Sequence, residues 1–154
     1  MNDIIIYSRK DAEKAIRSGN FPKNTSVISF YDPQTEHIKY EDICSDVYYC
    51  PYDDIDVWSE REYEKYSNTF DFADDLAQFI YDAYNSGRDI VCQCDYGQSR
   101  SAGCAAAIAE HFYKSGIVIF ADFSRCPNKL IYHKVIDALN DFSHNNKIPD
   151  QRRV

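Results

Sequence analysis

No apolar run in this chain approaches the roughly 18 residues that suggest a membrane span, so no transmembrane segment is expected. The opening residues, MNDIIIYSRKDAEK, lack a basic leader, a long apolar stretch and a small-residue cleavage site, and so do not read as a signal peptide. Positive charge is scarce: 17 Lys and Arg stand against 25 Asp and Glu, a formal net charge of −8. An acidic surface repels nucleic acid and anionic membrane, which argues against both as broad-surface partners but leaves room for a small basic pocket. Zinc-type spacing is missing too. The six cysteines (Cys44, Cys50, Cys92, Cys94, Cys104, Cys126) contain no C-x-x-C pair, and His37, His111, His133 and His144 are scattered, so no metal site is expected. Without an export signal the expected location is the cytoplasm, where the thiols stay reduced. Repeats, low-complexity tracts and Pro/Gly-rich linkers are also absent, so the 154 residues read as one domain, 1–154.

Apolar material, in contrast, is plentiful. Hydrophobic residues make up 44% of the chain and aromatics 15%, enough for a substantial core and against disorder. Strand-like and helix-like segments alternate. DIIIY (3–7) is a β-branched run; SRKDAEKAIRSG (8–19) is a helix capped by Ser8, with Asp11 completing a capping box and Gly19 stopping it. SVISFY (26–31) is a strand closed by the turn DPQT, and DVYYCPY (46–52) is another. SEREYEKY (59–66) opens with a second capping box, Ser59 and Glu62. FDFADDLAQFIYDAYNSG (70–87) places Phe72, Leu76, Phe79, Ile80 and Ala83 on one helical stripe, and Gly87 ends it. DIVCQ (89–93) reads as a strand buried on both faces. RSAGCAAAIAEHFYKSG (100–116) is an Ala-rich helix ending at Gly116. NKLIYHKVIDALNDF (128–142) is a last helix with Ile131, Val135, Ile136 and Leu139 on one face. The order predicts an α/β fold: a mostly parallel sheet of about four strands flanked by helices, with ligands bound at the strands' carboxyl ends.

CQCDYGQSRSAG (92–103) lies at such an end, between the last strand and the Ala-rich helix. A loop entering a helix N-terminus can turn successive backbone N–H groups inward as a nest for an oxyanion, and the helix adds partial positive charge. Arg100 can fold back and grip two anion oxygens, and Gly97 allows the positive φ such a loop needs. Cys94 feels the same potential, which favours its thiolate. A cysteine with an arginine six residues later is weak by spacing alone. The apolar strand before it, the central glycine, Ser101 and the small-residue helix behind tighten the reading to an anion cradle with a nucleophile at its base.

CDYGQSRS resembles the C-x-x-G-x-x-R-[ST] signature of the cysteine-dependent protein tyrosine phosphatases, in particular the small dual-specificity branch. SVISFYDP (26–33), YYCPYDD (48–54) and CPNKLIYHKVI (126–136) resemble the family's early strand and turn, the strand into its acid loop, and a segment of small bacterial members. The resemblance implies hydrolysis of a phosphorylated protein or small phosphoester, with no cofactor. Cys94 is then the nucleophile and Arg100 the phosphate ligand. Asp95, Tyr96, Gly97, Gln98, Ser99 and Arg100 supply the cradle, and Ser101 assists departure of the thiolate. The family's general acid is an aspartate upstream of the cysteine; PYDDID offers Asp53, Asp54 and Asp56, with Asp54, 40 residues before Cys94, preferred. Turn-forming aspartates are the plain alternative for all three.

Several residues depart from the pattern. Gln93 stands where the family usually has His, Asp95 and Tyr96 crowd the loop rim, and the loop contains no Lys, which points away from inositol phospholipids. A phosphate-binding module that turns over slowly therefore stands as a second reading, and a phosphatase of small non-protein esters as a third. Low-molecular-weight phosphatases place the loop before the acid, the reverse of the order here. Cys92 is expected to be a small core residue, with a protective disulfide to Cys94 as the alternative. Tyr48, Tyr49, Tyr52 and Trp58 flank the acid loop, either as core or as a shelf for an aromatic substrate.

Overall fold

A computed structural model describes residues 2–148 of the chain. Its strands are β1 (Ile4–Ser8), β2 (Thr25–Tyr31), β3 (Asp46–Pro51) and β4 (Asp89–Cys94). Its helices are α1 (Arg9–Arg17), α2 (Glu60–Tyr66), α3 (Ala73–Asn85), α4 (Arg100–Tyr113), α5 (Gly116–Phe120) and α6 (Lys129–Asn145), with a 3₁₀ turn at Ser67–Thr69. The four strands form one sheet in the order β1-β4-β2-β3, and every pairing is parallel. β4 is central, with Cys92 in register with Ile6 on one side and Ile28 on the other. The expected fold class is therefore the observed one.

Parallelism decides where the chemistry can gather. The ends of all four strands, Ser8, Tyr31, Pro51 and Cys94, lie at one edge of the sheet, where loops from distant parts of the sequence meet. Ile90, Val91, Cys92, Gln93 and Cys94 are each no more than 2% exposed, as the continuous apolar run predicts for a strand covered on both faces. Alternation along the strands sorts their side chains. Ile28, Phe30, Ile90, Cys92 and Cys94 join the core with α3, α4 and α6, while Val27 and Val91 pack with Ala12 of α1, Phe21 and Tyr40 on the other face.

The serine half of each predicted capping box forms, without the reciprocal bond from the serine N–H to the acid. The Ser8 and Ser59 hydroxyls accept from the Asp11 and Glu62 N–H groups. On α3, Leu76, Ile80 and Ala83 are buried as the stripe predicts, while Phe79 lies at its edge against Tyr48. The stripe missed Tyr81, which is 1% exposed, stacks on Phe142 and hydrogen-bonds His111. α3 lies between the sheet and α6, so a second face of the helix is covered. The helix also starts at Ala73 rather than near Phe70, because Phe70 is drawn into the core against Tyr52.

The Ala-rich helix ends before its expected stop at Gly116. Lys114 takes the left-handed C-cap conformation (φ 54°), and Gly116 opens α5 instead. A Cβ at Gly116 would come within 2.7 Å of the Ala106 carbonyl oxygen, so close packing rather than helix termination accounts for this glycine. Small residues elsewhere on α4 serve the same end. All of Arg100–Ala109 is buried, and a Cβ at Gly103 would lie 2.5 Å from the Asn128 carbonyl oxygen. That crossing brings the start of α6 against the start of α4, beside the loop that follows β4.

Candidate active site

The 95–99 loop is shaped by ties on its outer side. Arg9 N–H donates to Asp95 O (3.0 Å), Cys126 N–H to Gln98 O (2.8 Å) and Asn128 N–H to Ser99 O (3.0 Å), and the Arg125 guanidinium donates to Gly97 O. With these carbonyls held outward, the Gly97 N–H points inward and reaches Cys94 Sγ at 3.2 Å. Gly97 has φ +68°, and a Cβ there would lie 2.9 Å from Ser8 N. Both the backbone conformation and the packing on the β1–α1 junction therefore require glycine. Cys94 is 2% exposed, and its sulfur lies 3.0 Å from Ser101 Oγ on the first turn of α4. The Gly97 N–H and the Ser101 hydroxyl thus both reach this one sulfur at the N-terminus of α4.

Arg100 sits above the same helix start with its side chain 6% exposed. Its Nη1 donates to Asp32 Oδ1 (2.8 Å) and to the Tyr52 carbonyl (2.8 Å), and its Nη2 lies 3.6 Å from Asp95 Oδ2. Burying a guanidinium is costly unless its donors are engaged, and these partners also fix its direction. In the sequence Asp32 reads only as part of the turn DPQT. Its signal was positional: an acid just past the end of β2, next to β4 in the sheet.

Gln93 explains how the loop does without the usual histidine. Its side chain is buried, its Oε1 accepts from Ser29 Oγ (2.9 Å) and Tyr40 Oη (2.8 Å), and its Nε2 donates to the Cys94 carbonyl (3.0 Å). Burial pushes the Tyr40 hydroxyl well above its ordinary range, so it remains a donor. The base of the loop is held by a neutral, satisfied network rather than by an imidazolium.

The three candidate acids separate cleanly. Asp54 Oδ1 accepts from Ser99 Oγ (2.6 Å) and from Asn128 Nδ2 (2.9 Å), so this side chain touches the 95–99 loop. Asp56 Oδ1 accepts the Val57 and Lys129 N–H groups (each 2.8 Å), and its Oδ2 lies 3.5 Å from Lys129 Nζ, which makes it a support for the start of α6. Asp53 is exposed, and its backbone carbonyl accepts from Ile55 N–H. Asn128, fully buried, joins the two loops: its Nδ2 also donates to Ile55 O (2.8 Å), and its Oδ1 accepts Ile131 N–H (2.9 Å) as the cap of α6. The sequence marked Asn128 as the first residue of a helix and as part of the CPNKLIYHKVI resemblance, and neither signalled the clamp.

The surrounding residues sort into packing and rim. The neighbouring Cys104 thiol together with burial pushes the Cys92 thiol well above its usual range, which fits an inert core thiol better than a partner for Cys94. Tyr48 packs against Phe72 and Phe79, Tyr52 against Phe70, and the Tyr49 hydroxyl bonds Glu41. Trp58 is 70% exposed, with the Lys129 ammonium 3.6 Å from its ring centre. No group of three or more His, Cys, Asp or Glu among the described residues could hold a metal ion, and none of their helices is long and apolar enough to cross a membrane.

Cys94 thus ends a central parallel strand, a glycine loop follows it and the buried Arg100 opens the next helix, and the chain has the fold of the dual-specificity phosphatases. Human DUSP28 is similar to it over 92% of this chain and 94% of that one, with a TM-score of 0.54 and 12% sequence identity. A leucine rich repeat and phosphatase domain containing protein from Entamoeba histolytica is similar over 95% and 92%, at 0.53 and 13%. PTPMT1 in complex with PI(5)P is similar over 94% of each chain, at 0.55 and 11%. No family model and no curated protein sequence matches.

Proposed function

We propose that this chain is a cysteine-dependent phosphatase acting on phosphomonoesters, phosphotyrosine foremost, with phosphoserine and phosphothreonine as further substrates. The observation that carries the reading is the convergence of the Gly97 N–H and the Ser101 hydroxyl on Cys94 Sγ, beside an Arg100 fixed by Asp32 and Tyr52. In the first step the Cys94 thiolate attacks phosphorus, the P–O bond to the leaving group breaks, and Asp54 gives that oxygen its proton. Arg100 and the amides of residues 95–100 carry the charge on the transferring phosphoryl oxygens. In the second step water attacks the phosphocysteine, Asp54 takes its proton, and the sulfur leaves as a thiolate stabilised by Ser101. The chain's own donors supply the positive charge the reaction needs, so no metal enters the scheme. A second reading, a module that binds phosphate and turns over slowly, is favoured by Asp95, whose carboxylate competes with substrate for Arg100 Nη2.

Steady-state hydrolysis of an aryl phosphate in EDTA tests the first reading against the second. Turnover should vanish in Cys94→Ser while vanadate or phosphate binding survives, because a hydroxyl is a poor nucleophile and the cradle is intact. Residual turnover in that variant would sink the covalent mechanism, and binding without turnover in the unaltered protein would establish the second reading.

A further inference from the structure

Directly after the acid loop, Trp58 opens a cavity of about 560 Å³. Glu60, Tyr63 and Glu64 of α2 line one side of it, and Lys129, His133 and Asp137, spaced four apart on α6, line the other. Its place beside the candidate acid is fixed. Asp56 Oδ1 accepts the Lys129 N–H (2.8 Å), and Asn128 Nδ2 donates to Asp54 Oδ1 (2.9 Å) and to Ile55 O (2.8 Å).

The lining is aromatic and acidic. Trp58 is 70% exposed, which no core role explains. The Lys129 ammonium lies 3.6 Å from its ring centre, so the indole face already takes a cation. Tyr63 meets His133 edge to face, with ring centres 5.9 Å apart. Glu60, Glu64 and Asp137 are exposed, and among the described residues their carboxylates make no hydrogen bond and no ion pair. Lys129 does not offset them, because its ammonium faces Asp56 Oδ2 at 3.5 Å. Aromatic faces beside uncompensated carboxylates are complementary to an organic cation.

We infer that this cavity receives a lysine or arginine side chain that flanks the phosphorylated residue of a protein substrate. The inference rests on the phosphatase reading above and narrows its substrate class to phosphoproteins with a basic residue near the phosphate. The occupant is part of the substrate because Asp54 and Trp58 are four residues apart in one loop, so a chain whose phosphate lies at Cys94 has the cavity within reach. The α6 wall from Lys129 to Asp137 is about 12 Å long, a length that an extended peptide covers in about four residues. Exposed cation–π and ion contacts are worth about twofold to fivefold each, so one contact with Trp58 and one with a carboxylate give a preference of about tenfold in kcat/KM, falling with salt.

The test uses a phosphotyrosyl peptide with glutamine at every flanking position, and a set in which a single arginine replaces each glutamine in turn out to about five residues on either side. We expect arginine at one position to raise kcat/KM about tenfold. Glu60→Gln/Glu64→Gln/Asp137→Asn should abolish that rise, Trp58→Ala should cut it by about twofold to fivefold, and the charge-matched Glu36→Gln/Asp42→Asn/Asp75→Asn, at positions outside the cavity, should keep it. Each rise is a ratio within one variant, so a general loss of activity cancels. Arginine without effect at every position, or a rise that survives in both cavity variants, overturns the inference. If no peptide turns over, the phosphatase reading fails by itself. The cavity is then judged by the affinities of the same peptides for the Cys94→Ser protein with and without the cavity substitutions, where an arginine effect lost with them supports it and no effect overturns it. An arginine peptide without phosphate that binds the Cys94→Ser protein as tightly as its phosphorylated form makes the occupant a separate basic segment and overturns the substrate assignment.

Discussion

Replacing Asn128 by alanine removes three side-chain hydrogen bonds from a fully buried residue: Nδ2 to Asp54 Oδ1, Nδ2 to Ile55 O, and Ile131 N–H to Oδ1. Each such bond contributes about 1 kcal/mol net, and a lost helix cap costs about the same. The Asp54 end is open to water and contributes least, so the expected loss is about 2–3 kcal/mol. For a chain of this size that lowers Tm by about 4–12 °C. Asn128→Asp separates the two roles. It keeps the acceptor that caps α6, at a helix N-terminus where negative charge is favourable, and so should restore about 1 kcal/mol. It also places a carboxylate against Asp54 and loses both donors to the acid loop. Both variants should therefore slow phenyl phosphate hydrolysis by about tenfold or more, while an activated aryl phosphate, whose leaving group needs little protonation, is affected much less. Thermal melts and the ratio of the two rates measure the two effects independently. An Asn128→Ala protein melting within about 2 °C of the unaltered one refutes the stability argument. An unchanged rate ratio refutes the claim that Asn128 positions the acid.

Asp54→Asn should slow phenyl phosphate hydrolysis by roughly 10²–10⁴-fold and flatten the basic limb of its pH–rate profile, with a far smaller effect on an activated aryl ester. Asp53→Asn should change little, and Asp56→Asn should lower Tm through its bonds to α6 without creating leaving-group dependence; such dependence in the Asp53 variant instead would move the acid by one residue. Arg100→Lys should lose nearly all turnover, because a point charge cannot hold Asp32 and the Tyr52 carbonyl while also gripping phosphate as a planar fork; near-normal kinetics would reduce Arg100 to a helix-start residue. Burial raises the hydroxyls of Tyr48 and Tyr49 from 10.0 to about 12, and that of Tyr40 further. Folding thus favours their protonated forms, so this stability is complete below pH 10.0 and is lost as pH rises through the folded values. Alkaline difference absorbance should show these tyrosines ionising late or together with unfolding; simple titration near pH 10.0 in the folded protein would contradict their burial.

The sequence by itself determined the elements whose causes are local. Both serine caps, the β4 run buried on two faces and the Gly97 turn are fixed by residues within a few positions of one another, and each could be read from pattern and spacing. The same holds for the Cys94–Arg100 loop, because one strand–loop–helix unit contains all of it. Tertiary structure decided the rest. Asp32 and Asp54 lie 68 and 45 residues from the loop positions they bond, and their roles exist only because β2, β3 and β4 run parallel and end at one edge. Asn128 becomes a clamp because Gly103 lets α6 cross α4 closely enough to set its cap beside the acid loop. Gly116 looked like a helix stop and proved to be a packing contact, since only the approach of α5 to α4 shows what a Cβ there would strike. Periodicity along a chain reports which face of an element is apolar. It cannot report which second element covers another face, and that decided the burial of Tyr81 and the placing of Asp54 beside the loop that follows β4.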